Sequence, residues 1–262
     1  MPRPRRGAKA IALIAIALLG ATASLAEAEL SVSGDLFVTF NGGIFPPVLP
    51  RHALAPISVR VGGKVRTLSG EHPPALRDIY IALNRDGHLD TRGLPSCRRR
   101  QVEASSSAQA LAACGTALVG SGKFIAKTSF PEQAGFPSHG KILAFNSTAG
   151  GHPSILAHVY SDSPAPVTRT FVFQIHHTHG AYGTTLTATL PESLNRYGYL
   201  KRISLNLHRT YAYRGKAHSY LSADCPAPKG LSEASFKFAY ASMSFADGRT
   251  LAATLIRTCT VK

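Results

Sequence analysis

An all-β fold, an antiparallel β-sandwich with one short helix, is predicted by three features of the sequence. Apolar residues alternate with polar ones in many short stretches, and these are broken by clusters of Gly, Pro, Asn and Asp, as strands and turns require. Charged residues make up only 16% of the chain while Gly (23) and Pro (17) are plentiful, which argues against a helical bundle. Four cysteines, Cys97, Cys114, Cys225 and Cys259, form an even set suited to stapling loops. Whether the topology is jelly-roll or immunoglobulin-like is left open by these patterns.

The N-terminus predicts the compartment. Arg3, Arg5, Arg6 and Lys9 precede an apolar run from Ala10 to Ala26, and Ala26-Glu27-Ala28 has the small-x-small form of a signal-peptidase site. Residues 1–28 therefore read as a cleaved signal peptide, and residues 29–262 as a single disulfide-stapled domain that is secreted or associated with the cell envelope. The apolar core of the leader, Ile11–Leu19, is short for a membrane span. No later stretch is long enough to cross a membrane.

In an exported chain the four cysteines read as two disulfides. Three pairings are open; Cys97–Cys114 and Cys225–Cys259 are preferred because local loops close at lower entropic cost. Zinc is disfavoured by the absence of a C-x-x-C pair.

Along the chain, Glu29–Phe40 reads as strand ended by Asn41-Gly42-Gly43, and Ile57–Val61 with Val65–Leu68 reads as a hairpin turning at Gly62-Gly63. Ile79, Ile81, Leu83 and Leu89 share odd numbering. A three-residue loop, Arg85–Gly87, would keep Leu83 and Leu89 on one face. The same arithmetic predicts a three-residue loop at Ala246-Asp247-Gly248, between Met243/Phe245 and Leu251/Ala253/Leu255. Ser105-Ser106-Ser107 followed by Ala108–Ala113 and Gly115 predicts the one helix, lying between Cys97 and Cys114. Further strands are expected at Thr116–Gly120, Ile142–Phe145, Ile155–Tyr160, Val167–Ile175, Thr184–Leu190, Ile203–Tyr213 and Phe236–Phe245. A phase slip near Tyr240-Ala241 predicts a β-bulge.

Chemistry-bearing motifs are few. His176-His177-Thr178-His179 places His177 and His179 on one strand face as candidate metal ligands, with His152, His158 or His208 as a third. No other cofactor is implied. Asn84, Asp86 and Asp90 imitate the middle of a calcium loop, but Ala82 and Gly93 stand where its first and last ligands belong. Ala117–Phe124 departs from a P-loop at its first Gly and at its Ser/Thr, so Gly120 and Gly122 read as close-packing or bulge positions. No G-x-S-x-G is present, and no catalytic residue is assigned.

The formal charge is +15, with positive charge concentrated at Arg98-Arg99-Arg100, Lys201-Arg202 and Arg214-Gly215-Lys216. Tyr211 and Tyr213, flanked by Arg209 and Arg214, form a candidate stacking site, so Arg98, Arg99, Arg100, Arg209, Tyr211, Tyr213 and Arg214 are the candidate ligand-binding residues. Anionic envelope polymers are the partners such a charge suits, and nothing matches a nucleic-acid motif. The expected function is non-enzymatic binding of anionic surface polymers through a basic face. The alternative is a secreted hydrolase, metal-assisted through His177 and His179.

Gly93-Leu94-Pro95-Ser96-Cys97, Ala113-Cys114-Gly115-Thr116-Ala117-Leu118-Val119-Gly120 and Cys225-Pro226-Ala227-Pro228, with the Ala- and Arg-rich composition, resemble a group of uncharacterised secreted proteins of high-GC actinobacteria. The resemblance implies an exported β-rich protein with paired cysteines and brings no activity with it.

Overall fold

The computed structural model describes residues 28–128, 135–192 and 198–262. The leader assigned to residues 1–28 falls on residues 1–27, outside the described residues, but for Ala28. The strands in chain order are β1 (Glu29–Ser33), β2 (Leu36–Phe45), β3 (Val48–Leu49), β4 (Ala55–Pro56), β5 (Ser58–Thr67), β6 (Leu76–Asn84) and β7 (Gly87–Leu89). After the helix α1 (Ser107–Cys114) come β8 (Leu118–Thr128), β9 (Phe136–Ala149), β10 (His152–Ser161), β11 (Val167–His177), β12 (Tyr182–Thr189) and β13 (Gly198–Leu207). The chain ends with β14 (Thr210–Tyr213), β15 (Lys216–Ser219), β16 (Leu221–Ala223), β17 (Glu233–Phe245) and β18 (Thr250–Val261).

Thirteen strands form one sheet in the order β1-β2-β5-β13-β8-β9-β10-β11-β12-β6-β17-β18-β3. Every pairing is antiparallel except the short β18–β3 contact. The sheet curls until β18 lies against β1. Across that seam Ala252 N donates to Ser31 Oγ at 3.2 Å, Arg249 donates to the Ser33 carbonyl at 3.0 Å, and Arg257 pairs with Glu29 at 2.7 Å. Side-chain bonds thus cover both edges, which would otherwise present unpaired backbone. The result is an all-β, sandwich-like body whose two walls are parts of one sheet.

The walls meet in a core that draws Leu36, Val38 and Phe40 from one and Phe238, Leu251 and Leu255 from the other. Two short sheets close one end: β4-β16-β7, and the β14–β15 hairpin. Both predicted disulfides are present, Cys97–Cys114 and Cys225–Cys259. The helix also forms as expected. Ser106 caps it, its hydroxyl accepting from Gln109 N while the Gln109 side chain accepts from Ser106 N. Held by the first disulfide, this lobe covers the outer face of β9 and β10. Val102 and Ala110 there bury against Leu143, Phe145 and Leu156.

Several local expectations are corrected. Asn41-Gly42-Gly43 does not end a strand and Gly62-Gly63 does not turn one: β2 and β5 run straight through, with Gly42 opposite Val61 and Phe40 opposite Gly63. The glycines serve close approach instead. A Cβ on Gly62 would lie 2.4 Å from Asn41 Oδ1 and 3.0 Å from the Ile203 carbonyl. The Arg85–Gly87 loop does not make a hairpin: β6 pairs with β12 and β17, while β7 leaves the large sheet to pair with β16. The β17 bulge falls between Lys237 and Ala239, a few residues before the expected place. The second odd loop is as predicted. Met243 faces Leu251, Phe245 N donates to the Arg249 carbonyl, and Gly248 takes φ +87° in the three-residue turn.

Candidate binding sites on the wall and in the lumen

Strand alternation decides which residues of the wall reach solvent. In β5 it buries Val59 and Val65 and exposes Arg60, Lys64 and Arg66. Register then brings distant segments together. Lys64 sits opposite Arg202 of β13, and Lys123 of β8 sits opposite both Ser204 and Lys141 of β9. With Lys127 and Lys201, eight cations lie on β5, β13, β8 and β9. Neither these four adjacent strands nor neighbouring β2 carries an Asp or Glu. None of the eight makes an ion pair among the described residues. Arg66 stacks over Phe37 at 4.4 Å and Arg60 over Phe45 at 5.8 Å, so aromatic rings of β2 border the charge.

Sequence reasoning singled out only Lys201-Arg202 from this surface. The other cations are spread singly over strands far apart in the chain. The signal was the absence of any carboxylate from all five strands, which becomes visible only when the strands are known to be neighbours.

The candidate residues picked from local runs lie elsewhere. Arg98, Arg99 and Arg100 sit exposed on the disulfide-held lobe, where Arg99 donates to Thr170 Oγ1 at 3.0 Å and pairs with Glu103. Tyr211 and Tyr213 belong to the β14–β15 hairpin and pack on His218, with ring centroids 5.6 and 5.8 Å away. Tyr211 also donates to the Arg92 carbonyl at 2.8 Å, and Arg214 lies over the Tyr213 ring. These rings clamp the hairpin to the Asp90–Gly93 turn. Arg209 is half-buried with its Nε unpartnered. Among the described residues the lobe and the hairpin share no hydrogen bond, ion pair or ring contact, so the seven residues do not form one site.

His177 ends β11 and His179 follows it, both exposed. Of the suggested third ligands, His158 is fully buried beneath the lobe and donates from Nε2 to the Ser105 carbonyl at 2.9 Å. His152 begins β10 and is exposed, and His208 lies beside Asn206. Among the described residues no group of three His, Cys, Asp or Glu has the geometry to hold a metal ion.

A second feature lies between the walls. Several inward positions carry no side chain. In the row Gly42–Val61–Leu205–Gly122–Ile142 two of five are glycine, and so are two in Phe40–Gly63–Ile203–Phe124–Gly140. Between the walls lies an apolar lumen of about 160 Å³. Ile79, Ile81, Phe173 and Leu205 line it and are only half-buried although they face inward. None of the residues that line it is charged. Tyr220 is completely buried and its hydroxyl has no hydrogen-bond partner; burial pushes the phenol well above its ordinary range.

At one end the lumen shares Val59, Leu83, Leu221 and Phe238 with a small cleft that also holds Asp86, His88 and Asp224. Burial, and then the nearby Asp224 carboxylate, raise the Asp86 carboxyl above its usual range. A groove of mixed character, about 630 Å³, runs over the outer face of β6, β11 and β12, lined by Asp78, Tyr80, Gln174, Thr187, Leu190 and Arg99.

Fold and surfaces together define a disulfide-pinned, curled antiparallel β-sheet protein with one basic wall and an underfilled apolar lumen. No protein-family model matches the chain, and no curated protein and no solved structure matches it either.

Proposed function

We propose that the protein is exported and acts without catalysis, binding anionic polymers of the cell envelope or extracellular space through the outer wall formed by β2, β5, β13, β8 and β9. The observation that carries this reading is the segregation of charge: eight cations and no carboxylate on five adjacent strands. A wall of one sign focuses its field outward and attracts polyanions before contact. Rigid strands hold the cations in fixed rows, so less side-chain and backbone freedom is lost on binding than from a loop. Two disulfides suit an oxidising compartment. Among the described residues no helix is long and apolar enough to cross a membrane.

The test is co-sedimentation of the disulfide-bonded protein with purified cell envelope at low and high salt. Pelleting at low salt that is lost at high salt is expected, since exposed charges are screened over about 10 Å at 0.1 M. Reversing Lys64, Lys123 and Arg202 to Glu should abolish it, whereas reversing Arg98, Arg99 and Arg100 should leave most of it. No pelleting at low salt, or equal pelleting by the wall-reversed protein, would overturn the reading.

A further inference from the structure

We infer that the end of the basic wall formed by β1, β2 and β5 seats on a bilayer surface carrying anionic lipid headgroups. The inference rests on the wall's cations being its working charges, as in the polymer reading, and adds a partner that also takes up apolar side chains.

Register builds the surface. Alternation along β1 turns Leu30 and Val32 outward, 56% and 50% exposed. Val32 stands opposite Phe37, and Phe37 opposite Arg66. In the next row Leu30 stands opposite Thr39, Thr39 opposite Lys64 and Lys64 opposite Arg202. Just past β5 the same alternation turns Leu68 outward, 72% exposed, while its N–H donates to the Asp35 carbonyl at 2.8 Å. Neighbouring strands lie about 4.8 Å apart, which places Leu30 about 10 Å from Lys64. Leu30, Val32, Leu68 and the Phe37 ring under Arg66 therefore share one patch with Lys64, Arg66 and Arg202.

Nearby carboxylates do not cancel this charge. Asp35 is held by Arg249 and Glu29 by Arg257, each at 2.7 Å. Glu71, beyond the turn at Gly70, is left outside any ion pair among the described residues.

The mixture selects the partner. A soluble polyanion satisfies the cations but leaves Leu30, Val32 and Leu68 in water. A second copy of the chain would cover the aliphatic groups, yet face to face it would set Lys64, Arg66 and Arg202 against their own counterparts. An anionic bilayer meets both demands, because its headgroup charge attracts the cations and hydrocarbon lies just beneath. The contact is peripheral: side-chain tips enter the interface and no segment crosses.

The experiment uses residues 29–262 with both disulfides formed, the exported form, which holds every strand of the fold. Binding is measured to vesicles of equal parts phosphatidylglycerol and phosphatidylcholine, to vesicles of phosphatidylcholine alone, and to soluble polyglutamate. The anionic vesicles should be bound and the neutral ones only weakly. Leu30→Ser combined with Leu68→Ser should weaken binding to anionic vesicles about tenfold or more and leave polyglutamate binding unchanged. Both leucines are exposed, so the fold does not depend on them. The chain contains no tryptophan, so Leu68→Trp supplies a single reporter. Its emission should shift to the blue on anionic vesicles and not with polyglutamate. The inference is overturned if polyglutamate is bound and anionic vesicles are not, or if the double-serine variant binds those vesicles as well as the unmodified protein does. It is also overturned if the emission stays unshifted on vesicles that pellet the protein, or if the free protein is a dimer that the double-serine variant splits. Failure with both vesicles and polyglutamate at low salt would overturn the polymer reading as well.

Discussion

Lys64 and Arg202 stand directly opposite each other on β5 and β13, two cations in a cross-strand pair with no carboxylate on either strand. Lys123 and Lys141 repeat the arrangement one strand pair further along the sheet. Like charges placed this way repel, and a sheet selected for stability alone would separate them. The wall therefore holds a cost that a bound polyanion would relieve.

Lys64→Glu turns this repulsion into an opposite-charge pair with Arg202. The variant should gain about 0.2–1 kcal/mol in urea unfolding at low salt, and the gain should shrink as salt is added. The same protein should bind envelope more weakly. A variant that loses both stability and binding would show Lys64 to be a structural residue, contrary to this expectation.

His158 makes the lobe sensitive to acid. Its imidazole is buried on β10, with Nε2–H donating to the Ser105 carbonyl and Nδ1 unpartnered. Burial lowers its affinity for a proton below the ordinary value of 6.5, although the Ser105 carbonyl opposes this in part. The unfolded chain therefore takes up a proton at a higher pH than the folded chain does. The neutral ring's contribution to stability is complete above the unfolded value, about 6.5, and declines as pH falls below it. Subtracting the pH profile of His158→Gln removes the contributions of the other histidines. The stability advantage of the wild type over that variant should narrow between pH 7.5 and 5, read from urea midpoints. A constant difference would mean that His158 titrates normally.

Two glycines separate the effects of shape and entropy. A Cβ on Gly122 would lie 2.0 Å from the Ser204 carbonyl oxygen, so Gly122→Ala must push β8 and β13 apart. Its expected cost is about 1–3 kcal/mol or more. At Gly115 the backbone is right-handed helical, φ −58°, and nothing lies within 4 Å of the added carbon. Gly115→Ala should therefore gain about 0.4–1 kcal/mol by reducing the freedom of the unfolded chain. Thermal melts of the two single variants give the comparison, and similar losses in both would contradict it.

Neighbours along the chain govern one part of this structure. The Ser106 cap and its alanine helix, the odd loop at Ala246–Gly248, the half-solvated alternation of Ile203, Leu205 and Leu207, and both disulfide pairings depend on local geometry or short loop closure, and all were legible. Tertiary structure decided the rest. Gly42-Gly43 and Gly62-Gly63 have the local signature of turns, and only strands packed close on either side give them a different use. Asp86-Gly87 looks like a hairpin turn until β7 finds β16. The basic wall and the lumen escaped local reading for the same reason. Each cation contributes little on its own strand, and the apolar residues that line the lumen look like any others of the core. Their meaning arises from register between segments as far apart as Val59 and Leu207, which depends on how the whole sheet buries its apolar face.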